Sequence, residues 1–339
     1  MMARDPVHRV SPTVPFPWHL PVWKQLNRSW QTERFPHAIL LQGMQGLGKY
    51  QFAIWLSQAI LCELRSAELQ PCGNCVSCKL HHAGSHPDLL IVKPEEDKQQ
   101  ISVDQIRATN EALSLTSTRD GYRIAVIEPA HQMTISAANS LLKTLEEPNA
   151  NILIILVSSK PGSLLSTLRS RCQKTSMAAP SQTEAQSWLD KQAERPVIPE
   201  FLNYAGGAPL RALELYKGSF ESLRQSMMPG LNALTDTSSD LIQVVQAWSD
   251  DQLPERLSWL DYWLSNQIKH EILKNADSFT QGGLPVEVQR PDIAMMYRSL
   301  DKLRELSEQL RRTSLQRELM LFSILMRIQQ SLIYRPTVN

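Results

Sequence analysis

The chain has 339 residues, 42% apolar and 20% charged, a balance that excludes disorder, collagen and coiled coil as overall descriptions. Lys and Arg number 35 against 34 Asp and Glu, a formal charge of +1, too small for a protein that coats nucleic acid through bulk charge. No run reaches the roughly 18 apolar residues of a membrane span, and the basic, proline-rich N-terminus has no signal-peptide core, so a cytoplasmic chain without a membrane partner is expected.

In chain order, residues 1–17 read as a tail, followed by a helix with Trp23, Leu26 and Trp30 on one face. Four short apolar runs follow: Ala38–Leu41, Leu89–Val92, Ile124–Ile127 and Ile152–Val157. Their length and flanking turn residues predict strands buried on both faces of a parallel sheet. Helical segments separate them. Ser102-Val-Asp-Gln105 has the pattern of a capping box opening a helix through Leu115, and the helix Thr134–Glu147 is stopped by Pro148. Strands alternating with helices predict an α/β domain. After Cys172 small helices are expected at Gln182–Gln192, Pro199–Ala205 and Leu210–Lys217, with a loop over 275–292. The C-terminal third is read as all-helical. Its apolar stripes are Leu257, Leu260, Leu264, Ile268 and Ile272, then Leu303, Leu306 and Leu310, then Leu315, Leu319, Phe322 and Leu325.

The first predicted strand runs into Gly43-Met-Gln-Gly-Leu-Gly-Lys49-Tyr50, and an amphipathic helix follows. Strand before and helix after are the context of a phosphate-binding loop. Gly43, Gly46 and Gly48 permit the tight backbone, and Lys49 would reach the phosphates. The plain alternative is a Gly-rich turn with an incidental lysine. Two parts are wrong for hydrolysis. Tyr50 stands where Ser or Thr would ligate Mg²⁺, and Ile124–Ile127 ends in Glu128-Pro129 where an acidic pair is needed. Passive ATP or ADP binding is compatible with this loop, and hydrolysis is expected to be lost or very weak.

Cys62, Cys72, Cys75 and Cys78 are four of the five cysteines. Four thiolates at this spacing suit a closed tetrahedral structural Zn²⁺ site. Buried or redox cysteines and an iron–sulfur cluster are the alternatives, with His81, His82 and His86 as nearby substitute ligands. Further on, Leu164, Leu165 and Leu168 form an apolar face that leaves Arg169 and Arg171 off it. On spacing alone these are solvated charges.

Taken in order, GMQGLGK, CGNCVSC, AANSLLKTLEEP (Ala137–Pro148) and LRSRC (Leu168–Cys172) resemble the clamp-loader branch of the AAA+ proteins of bacterial replication. The likeness is strongest over 36–178 and continues by pattern, including Gly207–Leu213. It implies an AAA+ α/β domain over 1–178 with a zinc insertion at 62–78, a small helical lid over 179–218 and an all-α collar over 219–339. It implies a five-subunit ring with delta and tau/gamma subunits and, through the complex, contact with a sliding clamp and primer-template DNA. Arg171 matches the arginine that such subunits offer in trans to a neighbour's ATP. Ser158 or Ser159 matches the residue that senses γ-phosphate, with a structural role as the alternative without hydrolysis, and Arg211 matches the lid arginine, with a plain surface position as the alternative. With Tyr50 and Pro129, the resemblance favours a non-hydrolysing member within the polymerase assembly. A tau/gamma-type ATPase motor is the alternative. A zinc-dependent nucleic-acid module is disfavoured by the near-zero charge.

Overall fold

The computed structural model describes residues 15–119, 121–193, 197, 199–218, 220–235, 240–274, 292–310 and 317–333. Residues 1–14 of the expected tail, most of the expected 275–292 loop, Leu315 and the side chain of Leu310 lie outside the described residues. The described residues divide into two compact units. The first takes those between 15 and 196 with Ala205–Ala212, and the second takes Val197–Tyr204 with those from Leu213 onward.

In the first unit, β1 (Ala38–Gln42), β2 (Leu89–Val92), β3 (Arg123–Ile127), β4 (Ile152–Ser158) and β5 (Gln173–Ser176) form one sheet. Every pairing is parallel, in the order β2-β3-β4-β1-β5. The strand that leads into the Gly43–Tyr50 loop, β1, lies inside the sheet. The helices are α1 (Leu20–Gln31), α2 (Lys49–Leu61), α3 (Val76–His82), α4 (Val103–Ser114), α5 (Ile135–Glu146), α6 (Ser166–Ser170) and α7 (Gln182–Gln192). Alternation decides which helix covers which face. Ala38 and Leu40, Ala125 and Ile127, and Ile154 and Leu156 point to one side, where Ile106, Leu113, Ala137, Leu141 and Leu145 of α4 and α5 complete a core. The helix α2 packs on β1, β3 and β4.

Local chemistry sets the helix starts. Ser102 Oγ accepts from Gln105 N at 3.3 Å while Ser102 N donates to Gln105 Oε1 at 2.9 Å, the expected capping box. Ala137 N donates to Thr134 Oγ1 at 3.1 Å to open α5.

Several expectations need correction. The run Leu89–Val92 is an edge strand whose Ile91 is 47% exposed, not a strand buried on both faces. The helix α2 is buried almost all round rather than amphipathic, because it is wrapped by α3 as well as by the sheet. Phe16 and Pro17 belong to the folded structure, not to a tail: Phe16 stacks on Trp18, ring centroids 5.0 Å apart, and Pro17 opens a short 3₁₀ turn. The polar strand β5 has no hydrophobic signature, since only Thr175 in it is buried.

In the second unit the described elements are all helices: α8 (Pro199–Tyr204), α9 (Pro209–Lys217, which begins in the first unit), α10 (Phe220–Leu234), α11 (Leu241–Trp248), α12 (Leu253–Lys274), α13 (Ile293–Leu310) and α14 (Arg317–Leu332). Leu257, Leu260, Leu264, Ile268, Leu303 and Leu306 are buried as their spacing predicts. Leu325 is also buried and Phe322 half-buried, whereas Ile272 and Leu319 are exposed, and α14 further buries Leu321, Ile324 and Ile328. Gly230 lets α10 and α11 touch: a Cβ there would lie 2.5 Å from the Trp248 ring. Among the described residues no helix is long and apolar enough to cross a membrane.

Candidate functional site

Parallel strands place their carboxyl ends on one edge, the usual ligand edge of an α/β sheet. Here that edge carries the Gly43–Tyr50 loop after β1, Glu128 after β3 and Ser158 at the end of β4. The loop is braced from outside through its carbonyls. Trp18 Nε1 donates to Leu47 O at 2.9 Å, His19 Nε2 approaches the same oxygen at 2.7 Å, and Leu210 N donates to Gly46 O at 3.1 Å. Gly46 and Gly48 are left-handed, φ +82° and +77°. A Cβ would fall 2.6 Å from Arg211 Cβ at Gly46 and 2.5 Å from the Phe16 ring at Gly48. Arg211 thus packs its stem on the loop. The amides of Gly46, Leu47 and Gly48 donate to no acceptor among the described residues, a concave row of donors of the kind that holds anions.

Lys49 is buried and donates from Nζ to Met44 O at 2.6 Å. Burial pulls its pKa down to about 8, partly offset by the Glu128 carboxylate. Lys93, which sequence reading missed, completes this edge. Its Nζ lies 4.0 Å above the Tyr50 ring centroid and 4.0 Å from Glu128 Oε2. No local motif marks Lys93, because only the pairing of β2 with β3 brings it there. Ser158 is buried; its Oγ accepts from Lys160 N at 3.1 Å and lies 3.3 Å from His131 Nδ1. Magnesium demands oxygen ligands at about 2.0–2.1 Å. A phenyl face and a carboxylate already facing an ammonium do not supply them, so the magnesium of an ordinary phosphate loop does not fit these residues.

The cysteines come together as expected. Cys62 ends α2, Cys75 caps α3, Cys78 lies within α3 and Cys72 precedes them. All four sulfurs lie within 4.8 Å of one another, with Cys62–Cys75 at 3.9 Å and Cys72–Cys78 at 4.0 Å. Sulfurs bound to one zinc at ~2.3 Å stand roughly 3.8 Å apart, so the four could coordinate one metal ion. Amides of Asn74 and Cys75 point at Cys72 Sγ and hold its pKa down to about 6, while burial raises Cys62 and Cys78. Two of the three histidines serve elsewhere: His81 Nε2 lies 3.1 Å from Ser57 Oγ, and His86 Nε2 lies 2.8 Å from Ser77 Oγ.

Arg171 caps the C-terminus of the short helix α6. Its Nη2 lies 2.5 Å from Glu146 Oε1 at the end of α5, its Nη1 donates to Thr167 O at 2.8 Å, and its side chain is 35% exposed. Neither partner belongs to the phosphate loop.

Two family models match the chain: "DNA polymerase III, delta subunit" over residues 18–181 and "DNA polymerase III, delta subunit, C terminal" over 219–330. The delta-prime subunit of DNA polymerase III from Escherichia coli is 32% identical over 94% of this chain and 96% of that protein. The chain belongs to the delta-prime family of DNA polymerase III. The delta-prime subunit of Pseudomonas aeruginosa is 32% identical over 76% of this chain and 78% of its own length. A solved gamma-subunit-related protein of Thermotoga maritima has a TM-score of 0.45 and 17% identity, covering 91% of this chain and 99% of that one. In this delta-prime family chain the Gly43–Tyr50 loop carries Lys49, and the Ser-Arg-Cys segment carries Arg171.

Proposed function

We propose that this delta-prime family chain is a non-hydrolysing clamp-loader subunit that completes the ATP site of an adjacent tau/gamma subunit with Arg171. The carrying observation is the guanidinium itself: half-exposed, fixed by Glu146 and Thr167, and without a partner in its own phosphate loop. A guanidinium is always charged and presents a planar fork that suits phosphate oxygens. Held at two points, it has less side-chain freedom to lose on meeting a triphosphate.

The chain's own loop keeps the parts that hold phosphate, Gly43, Gly46, Gly48 and Lys49, and lacks those that drive hydrolysis. Tyr50 offers no metal ligand at the right reach, and Pro129 has no group to orient water. On this reading ATP or ADP is bound passively and not turned over. Cys62, Cys72, Cys75 and Cys78 hold one structural Zn²⁺, supported by the sulfur spacing and by the amides aimed at the thiolates. Such an ion would tie the end of α2 to α3 and do no chemistry, since four sulfurs leave no open position.

In this reading the AAA+ domain spans 1–178, the lid 179–218 and the collar 219–339. The collar joins a five-subunit ring with delta and tau/gamma subunits that loads a sliding clamp on primer-template DNA, in the cytoplasm. The test is ATPase of the lone chain and of the ring reconstituted with those subunits. Negligible turnover alone and clamp- and DNA-stimulated turnover in the ring are expected. Robust turnover by the lone chain would refute the reading.

A further inference from the structure

We infer that the Lys93 ammonium takes the place of the divalent cation in this phosphate loop, so that the ligand of the site is a nucleoside polyphosphate carrying no metal. The inference rests on the passive nucleotide binding proposed above. In P-loop proteins the metal is held between the hydroxyl that follows the loop lysine and a carboxylate at the end of a neighbouring strand. Those positions are Tyr50 and Glu128 here, and Lys93 Nζ stands 4.0 Å from each, measured to the ring centroid and to Oε2. The backbone sets this placement: Glu128 N donates to Val92 O at 3.0 Å, which aligns the end of β2 with the end of β3.

The chemistry favours one cation and rejects the other. An aromatic face attracts an ammonium, whereas a small hard dication needs a shell of oxygens. The charges facing the site also count. Lys93 faces Glu128, whose carboxylate also acts on Lys49, and Lys160 and Lys49 both act on His131. The carboxylate that would hold a metal thus already faces an ammonium. A polyphosphate supplies negative charge to the lysines. An added dication would meet repulsion instead.

Isothermal titration calorimetry of the full chain with ADP and ATP tests this, with excess magnesium and in buffer stripped of divalent ions by resin. A soluble chelator is avoided because it would attack the cysteine cluster. Affinities agreeing within about twofold between the buffers are expected. Lys93→Ala should weaken binding about tenfold in both, the scale of a lost charged hydrogen bond, and Lys93→Arg should keep it. The Lys93 side chain is 46% exposed, so an unchanged melting curve will show that Lys93→Ala folds. Binding that tightens tenfold or more with magnesium would overturn the inference and leave passive binding intact. So would Lys93→Ala at full affinity. No binding of either nucleotide in either buffer would overturn both, without touching the role of Arg171.

Discussion

Arg171 and Glu146 form an ion pair, Nη2 to Oε1 at 2.5 Å, that joins the Ser-Arg-Cys segment to the Leu-Glu-Glu-Pro segment. Both side chains keep contact with solvent, 35% and 48% exposed, so the pair adds little to stability. Its consequence is orientation: the pair limits where the guanidinium can go.

Arg171→Ala should therefore leave the melting temperature nearly unchanged. In the reconstituted ring it should slow hydrolysis at the adjoining site by about 10³-fold or more, the lower range for arginine fingers. Single-turnover hydrolysis with labelled ATP reads that site. Unchanged turnover would remove the trans role.

Cys75→Ser separates metal binding from helix capping. Cys75 Sγ accepts from Cys78 N at 3.3 Å, a bond that a serine hydroxyl can replace. Serine is a poor ligand for zinc beside three thiolates. Elemental analysis should find about one zinc per wild-type chain and well under half of that in the variant. Full metal content in the variant would show that the four-thiolate assignment is wrong.

His19 should make stability depend on acid pH. Burial lowers its pKa from 6.5 to about 4, against a smaller opposing effect of its bond to Leu47 O. That carbonyl only accepts, so Nε2 carries the proton of the neutral ring. Between pH 6.5 and 4 the unfolded chain takes up a proton that folded His19 refuses. This contribution is complete above pH 6.5 and lost progressively toward pH 4, by at most roughly 3 kcal/mol. Urea unfolding at pH 7 and pH 5 should show a smaller loss for His19→Gln than for the wild type. Equal losses would mean that His19 is not the titrating group.

Gly48→Ala should destabilise the chain by about 1–3 kcal/mol. The residue sits at φ +77°, and the new methyl would meet the Phe16 ring at 2.5 Å. A Phe16→Ala background removes the clash but not the backbone strain, so urea midpoints of the two single variants and the double variant should recover only part of the loss. Full additivity would deny the contact.

Much of the molecule is legible in the chain because the signals are local. The runs Ala38–Leu41 and Ile152–Val157 contain no polar residue, and both lie inside the sheet with neighbours on each side, so such strands declare themselves. The capping box at Ser102, the glycines of the phosphate loop and the cysteine spacing are equally local, since each depends on residues close together in the chain. Gln173–Ser176 is not legible in this way, because an edge strand paired to β1 needs backbone partners and no apolar pattern.

The order of residues is enough to place the groups: a lysine and three glycines in the pattern of a phosphate loop, four thiols at metal-site spacing, a tyrosine where that pattern has serine or threonine, and a proline in place of a second acid after Glu128. Which charges meet is set by packing in three dimensions. Lys93 reaches Glu128 because β2 lies beside β3, and Arg171 reaches Glu146 because α6 packs on α5. Electrostatic contacts fall off over a few ångströms of space, and separation along the chain carries no measure of that distance.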